Sequence, residues 1–196
     1  MGEKSVQKKK FIIQTARKVF EEKGYLKVTM KDIVEACEIS RGGLYLYYES
    51  VRELFLDVLQ AEKVMTEDIF GPAISAGMGS ADVLGLFLTE QKKEILKGRK
   101  SLTIAIYEYY FENEMPRKEN DYRNQFHMAV KVIEKLICAG VAEGDFYCAD
   151  PLGAARNMMY VIEGLKLAAV TMNLSEEEVN REILYLLKAL MTGESA

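Results

Sequence analysis

Between Ser5 and Lys23, Ile12, Ala16, Val19 and Phe20 recur at helical spacing while lysines and glutamates fill the other face. This predicts a first helix, stopped by Gly24. Thr29 with Asp32 three residues on is a capping-box variant, and it opens a second helix whose apolar face is Met30, Ile33, Val34 and Cys37. Glu38-Ile39-Ser40 forms a three-residue turn. Ser40 then caps a short third helix that starts at Arg41 and turns Leu44, Tyr45 and Tyr48 inward. Ser50 with Glu53 opens a long fourth helix, which Gly71-Pro72 must end or kink.

Residues 71–80, rich in Gly, Ala and Ser, are the candidate boundary loop. Further helices are predicted at about 81–97, 99–113, 119–143, 150–172 and 176–192. Asp150-Pro151 supplies a cap followed by proline at the first helical position, and Ser175 with Glu178 is a capping box. The expected fold is all-α, with about nine helices. A three-helix domain over residues 1–52 precedes a larger helical domain over residues 53–196.

Composition agrees with this and narrows the function. Hydrophobic residues make up 49% of the 196-residue chain, enough for a large core, and prolines number only three. No run of about 18 apolar residues appears, and the start leads into a basic stretch, so a cytoplasmic protein without a membrane span is expected. Cys37, Cys138 and Cys148 fit neither a disulfide framework nor a zinc site. An enzyme is not expected. The chain has one histidine, no Gly-x-Ser-x-Gly elbow, no phosphate-cradling loop and no His-Glu-x-x-His, and no cofactor or metal is called for.

Charge is unevenly placed. Residues 1–52 hold 11 Lys/Arg against 7 Asp/Glu, and the remainder holds 15 against 23. A basic head on an acidic body suits DNA, because salt screens attraction beyond about 10 Å and phosphates sense only the head.

Two short helices joined by a tight turn behind a packing helix form a helix-turn-helix. Arg41-Gly42-Gly43 is a poor helix start, each glycine costing about 1 kcal/mol relative to alanine. Bare backbone there allows close approach to base edges and phosphates, and Arg41 can fork onto guanine O6 and N7. Helical geometry cannot point three tyrosines outward together. Tyr48 is assigned to the core, Tyr47 to phosphate and Tyr45 to a mixed role. Lys8, Lys9 and Lys10 form a charge run, either a solvated helix face or a basic arm near DNA.

The run from Ile12 to Phe20, then Gly24-Tyr25, Thr29, Ile33-Val34, Ala36, Ile39-Ser40, Gly42, Leu44-Tyr45 and Tyr47-Tyr48 resembles the N-terminal signature of the TetR/AcrR family of bacterial transcriptional regulators, over about residues 9–56. The resemblance implies a three-helix DNA-binding domain, a fourth connecting helix, and a helical regulatory domain that dimerises through its last two helices and often holds a small-molecule pocket. It assigns Thr29 and Lys31 to backbone or nearby bases, Ser40, Arg41, Gly42, Gly43 and Tyr45 to reading, and Tyr47 to phosphate. Two departures stand out. Glu38 replaces the usual turn glycine, and Val51 replaces a phosphate-contacting lysine, a role that Arg52 could take over.

Pairing across a two-fold axis would place two reading heads about 34–36 Å apart or somewhat more, over a palindromic operator. For the homodimer interface the apolar stripes nominate Met159, Ile162, Leu165 and Ala169 with Ile183, Leu187 and Leu190. For an effector pocket the aromatic and methionine clusters nominate Tyr107, Tyr110, Phe111, Phe126, His127, Met158 and Glu163. The expected function is a repressor released from DNA by a small molecule. The alternative is a DNA-bound adaptor whose C-terminal domain binds a protein.

Overall fold

A computed structural model of the chain describes residues 3–67 and 76–191, with side chains described for 3–62 and 76–191. Among the described residues there are nine α-helices and no strand: α1 (Glu3–Lys23), α2 (Met30–Cys37), α3 (Arg41–Tyr45), α4 (Val51–Glu67), α5 (Ser80–Leu96), α6 (Thr103–Glu112), α7 (Asp121–Glu143), α8 (Pro151–Met172) and α9 (Glu176–Met191). No helix among the described residues is long and apolar enough to cross a membrane. The expected break at Gly71-Pro72 lies outside the described residues.

The local signals act as chemistry predicts. Gly24 closes α1 at φ 76°, and Gly144 closes α7 at φ 86°. The Thr29 hydroxyl oxygen accepts from the Asp32 amide, and the Asp32 carboxylate accepts from the Thr29 amide. Ser175 and Glu178 make the same reciprocal pair ahead of α9. Asp150 accepts from the Gly153 amide, with Pro151 at the first turn of α8. Before α4 the box is only half formed. Ser50 accepts from the Glu53 amide, but the Glu53 carboxylate reaches the Glu49 amide. The helix expected from residue 99 begins at Thr103, because a 3-10 turn over Gly98–Lys100 comes first, with Gly98 at φ 52°.

The chain forms two compact units, one of Met1–Asp68 with Arg99–Glu114, the other of Ile69–Gly98 with Met115–Ala196. The expected division at residue 52 therefore falls too early, and it misses an inserted helix. Leu54, Phe55 and Val58 of α4 are buried, and Arg17 of α1 forks onto the Glu62 carboxylate. These contacts bind α4 to the first unit. α6 joins it through Tyr109, whose buried ring meets Tyr25 edge-on at 5.1 Å and Phe55 at 5.4 Å. In the second unit α5, α7, α8 and α9 surround a core that includes Leu84, Ile133, Ile137, Met158 and Ile162.

The turn between α2 and α3 runs through a left-handed residue. Glu38 sits at φ 53°, ψ 38°, a conformation costly for any residue with a Cβ. Glu38→Gly is expected to raise unfolding stability by about 1 kcal/mol, read by urea denaturation at neutral pH. An unchanged midpoint would mean that the turn carries no strain.

Candidate nucleic-acid interface

α2 and α3 are oriented by what they bury. Ile33 and Cys37 of α2, Leu44 of α3 and the following Tyr48 are shielded from solvent, so Lys31, Arg41, Gly42 and Tyr45 are left outside. The start of α2 is reinforced electrostatically. The Lys23 ammonium lies 2.6 Å from Asp32, and with the Thr29 hydroxyl and amide it pulls the Asp32 carboxyl from 3.8 to about 2. Ile39 donates its amide to the Val34 carbonyl across the turn, and Ser40 accepts from the Gly43 amide at 3.1 Å. The Ser40 hydroxyl proton stays available for an outside acceptor.

The two glycines differ. A Cβ on Gly42 would meet nothing within 4 Å, so the folded chain gives no steric reason for glycine there. A Cβ on Gly43 would come 3.1 Å from the Ser40 hydroxyl oxygen and 3.7 Å from the Lys8 ammonium. Gly43 is hemmed in by the Ser40 hydroxyl of its own fold, whereas Gly42 is open to an approach from outside. Beside them the Arg41 guanidinium lies over the Tyr45 ring at 5.3 Å. Both side chains are exposed, so of the mixed role expected for Tyr45 the inward part is corrected. Five residues make little more than one turn, and Leu44 takes its buried side.

The remaining candidates fall out as follows. Lys31 is exposed and pairs only loosely with Glu35 at 3.7 Å, a solvated contact worth little. Thr29 spends its hydroxyl proton on Asp32 at 2.7 Å and is first of all a cap. Tyr47 is half-buried, its hydroxyl 3.4 Å from that of Ser5. Tyr48 is core as expected, and its hydroxyl donates to Asp57 of α4 at 3.0 Å. Burial, with the carboxylate beside it, drives the Tyr48 phenol well above its usual range. Arg52 is exposed, and the Tyr109 hydroxyl of α6 beside it raises the pKa of its guanidinium.

One residue escaped sequence reasoning altogether. The Glu108 carboxylate of α6 accepts from the backbone amides of Tyr25 and Leu26 at 2.6 and 3.0 Å, holding the loop between α1 and α2. A Cβ on Gly24 would meet that carboxylate at 2.5 Å, so Gly24 serves both the turn and this close approach. A partner 83 residues away leaves no local trace.

The family model described as "Bacterial regulatory proteins, tetR family" matches residues 12–58, and "Tetracyclin repressor-like, C-terminal domain" matches residues 83–180. The chain belongs to the TetR family. Among curated relatives it is 28% identical to the uncharacterized HTH-type transcriptional regulator YfiR of Bacillus subtilis, over 72% of this chain and 69% of that one. It is 24% identical to the HTH-type transcriptional regulator QacR of Staphylococcus aureus, over 84% and 87%. Another relative, YerO of Bacillus subtilis, is 24% identical, and the match spans 66% of that protein. A TetR transcriptional regulator from Chloroflexus aurantiacus has the same fold, with a TM-score of 0.78 at 18% identity over 95% of this chain and 96% of that one. The fatty acid degradation regulator FadR from Bacillus halodurans superposes with a TM-score of 0.72 at 17% identity over 92% and 94%.

In this TetR-family chain the seven pocket candidates divide between the two units. Tyr107, Tyr110 and Phe111 belong to the first, where Tyr107 stacks on Phe111 at 5.9 Å and Phe111 is 81% exposed. The other four belong to the second. There Phe126 packs against Tyr160 at 5.0 Å, and His127 is exposed at its edge. Glu163 accepts from the Tyr122 hydroxyl and pairs with Lys166 at 3.0 Å. Met158 is a correction, being fully enclosed in the core of the second unit.

The dimer stripe is corrected as well. Met159, Ile162, Leu165, Ala169 and Leu190 are buried within the chain, and Ile183 and Leu187 pack against the same core. An apolar stripe points to whatever buries it, and here that is the subunit's own interior. The outward faces of α8 and α9 instead carry Tyr160, Leu167, Met172, Leu184, Tyr185 and Met191.

Gly42→Ala tests the reading of the bare helix start. Thermal stability is expected to hold or rise slightly, since alanine is the better helix former by up to about 1 kcal/mol. Affinity for duplex DNA, read by fluorescence anisotropy, is expected to drop about tenfold or more. Unchanged binding would remove the argument for close approach at this position.

Proposed function

We propose that this TetR-family regulator is a cytoplasmic homodimeric repressor whose hold on a palindromic operator is released by a small-molecule effector. The start of α3 supports the DNA half of this reading. Arg41 is exposed and pairs with no carboxylate among the described residues, Gly42 is sterically open, and Ser40 keeps a proton to donate. Such an end suits the wide groove of B-DNA, with Arg41 on a base edge and Tyr47 on a phosphate.

The observation that carries the release half is the membership of α6. Arg99–Glu114 is built into the DNA-binding unit, while the chain on both sides of it belongs to the other unit. Glu108 ties that insert to the amides of Tyr25 and Leu26, and the Tyr109 ring packs against Tyr25 and Phe55. A ligand that favours one arrangement of the second unit therefore bears on the head through three covalent joints, two of them the ends of this insert. Population shift follows from its differential affinity for the two arrangements.

Pairing through the last two helices fits the exposed residues of α8 and α9 better than the buried stripe. Tyr160 and Leu167 are seven residues apart on α8, and Leu184 and Met191 repeat that spacing on α9, as a helix–helix seam requires.

Two measurements address this reading. A duplex selected by the protein from a random pool, titrated with a panel of apolar and cationic small molecules, is expected to lose affinity about tenfold or more with at least one class. Affinity constant across the panel would refute effector release and favour the adaptor function. Leu184→Glu is expected to shift the mass in analytical ultracentrifugation from dimer to monomer and to weaken operator binding with it. A stable dimer in that variant would move the interface elsewhere.

A further inference from the structure

Lys8, Lys9 and Lys10 are identical in sequence terms, yet the structure separates them. α1 is helical from Glu3 and anchored by buried Ile12 and Ala16, so the run is a rigid helix face and not a loose arm. Lys9 is neutralised: its ammonium lies 2.6 Å from Asp57 and 5.5 Å from the centre of the Tyr48 ring. Lys8 turns towards α3. Its ammonium sits 6.0 Å from the centre of the Tyr47 ring and 3.7 Å from where a Cβ on Gly43 would stand. One turn back along α1, the Ser5 hydroxyl meets the Tyr47 hydroxyl at 3.4 Å. Among the described residues Lys8 makes no ion pair, and it is exposed. A full positive charge is thus held at the reading helix with only a ring face and backbone for company.

We infer that Lys8 is a DNA-contacting residue supplied by α1, its ammonium seated with the Tyr47 and Ser5 hydroxyls against one backbone phosphate beside α3. This inference rests on the reading that the Arg41–Tyr47 face meets the duplex. The chemistry is matched. An ammonium has three donors and no acceptor, a phosphate offers only acceptors, and of the two hydroxyls the one that accepts from the other adds a neutral donor at the same place. Gly43 contributes by absence, because a Cβ there would stand 3.1 Å from the Ser40 hydroxyl oxygen and in contact with the Lys8 ammonium. The contact is blind to sequence, since it reaches no base.

The test uses the full-length protein with two fluorescein-labelled duplexes, one selected by the parent protein from a random pool and one of mixed sequence. Affinity is measured across a salt series for the parent and for Lys8→Gln, Lys8→Arg, Lys10→Gln and Arg41→Ala, each with a matching thermal melt. Lys10 lies about 200° round the helix from Lys8 and is the control for general charge. Lys8→Gln is expected to melt like the parent and to weaken both duplexes by a similar factor. It should also flatten the slope of log affinity against log salt by about 0.9 for each head bound. Lys8→Arg should retain the parent slope, and Lys10→Gln should stay close to it. A parent-like slope in Lys8→Gln, or an equal loss in Lys10→Gln, overturns the inference. Arg41→Ala separates the two levels. If it relaxes preference for the selected duplex while Lys8→Gln changes nothing, only the Lys8 contact fails. If Arg41→Ala also leaves preference intact, the reading face itself is wrong.

Discussion

A helix of five residues cannot hold itself. Nucleation costs more than so few hydrogen bonds return, and two successive glycines at its start raise that cost. The orientation of α3 therefore depends on burial beside it. Leu44 on the helix and Tyr48 just past it are both enclosed, and each such side chain contributes about 1.5–3 kcal/mol. Tyr48 is fastened by its hydroxyl to Asp57, which also takes the Lys9 ammonium. One carboxylate of α4 thereby joins α1, α4 and the end of the reading element. The exposed end of α3 can be unstable in itself because its buried side is over-determined.

The same sorting governs charge. Basic residues near the head fall into two groups, those neutralised by carboxylates and those left open. Arg17, Lys9 and Lys23 are consumed by Glu62, Asp57 and Asp32, and these pairs fix elements against each other. Arg41 and Lys8 have only aromatic rings for company. A cation over a ring keeps nearly its full charge, so a phosphate or a base edge encounters it undiminished. Net charge in the first 52 residues is a poorer guide than which of its cations already have partners.

α6 gives the head a second dependence. The loop after α1 has its amides satisfied by Glu108, a residue outside the three-helix motif, and the Arg52 guanidinium has the Tyr109 hydroxyl beside it. Buried or strained loops need their backbone donors paired, and a carboxylate that accepts two of them is a strong solution. The DNA-binding unit is thus not complete in its own stretch of sequence. A segment that enters and leaves through the second unit supplies its missing acceptor.

The sequence alone determined the helices, their caps and the reading motif. Those depend on neighbours three or four residues apart, as Thr29 with Asp32, Ser175 with Glu178, Gly24 and Gly144 show. The left-handed turn at Glu38 was legible on other grounds, through the family resemblance, which implies a glycine at that position. Tertiary structure decided which side of an apolar stripe is buried by what. Met159, Ile162 and Leu165 went to the subunit core and Tyr160 to its surface, because periodicity specifies a face and not its partner. It also decided the fates of Lys8 against Lys9, of Arg52, and of Glu108. Each depends on a group from another helix, and no spacing along the chain encodes that meeting.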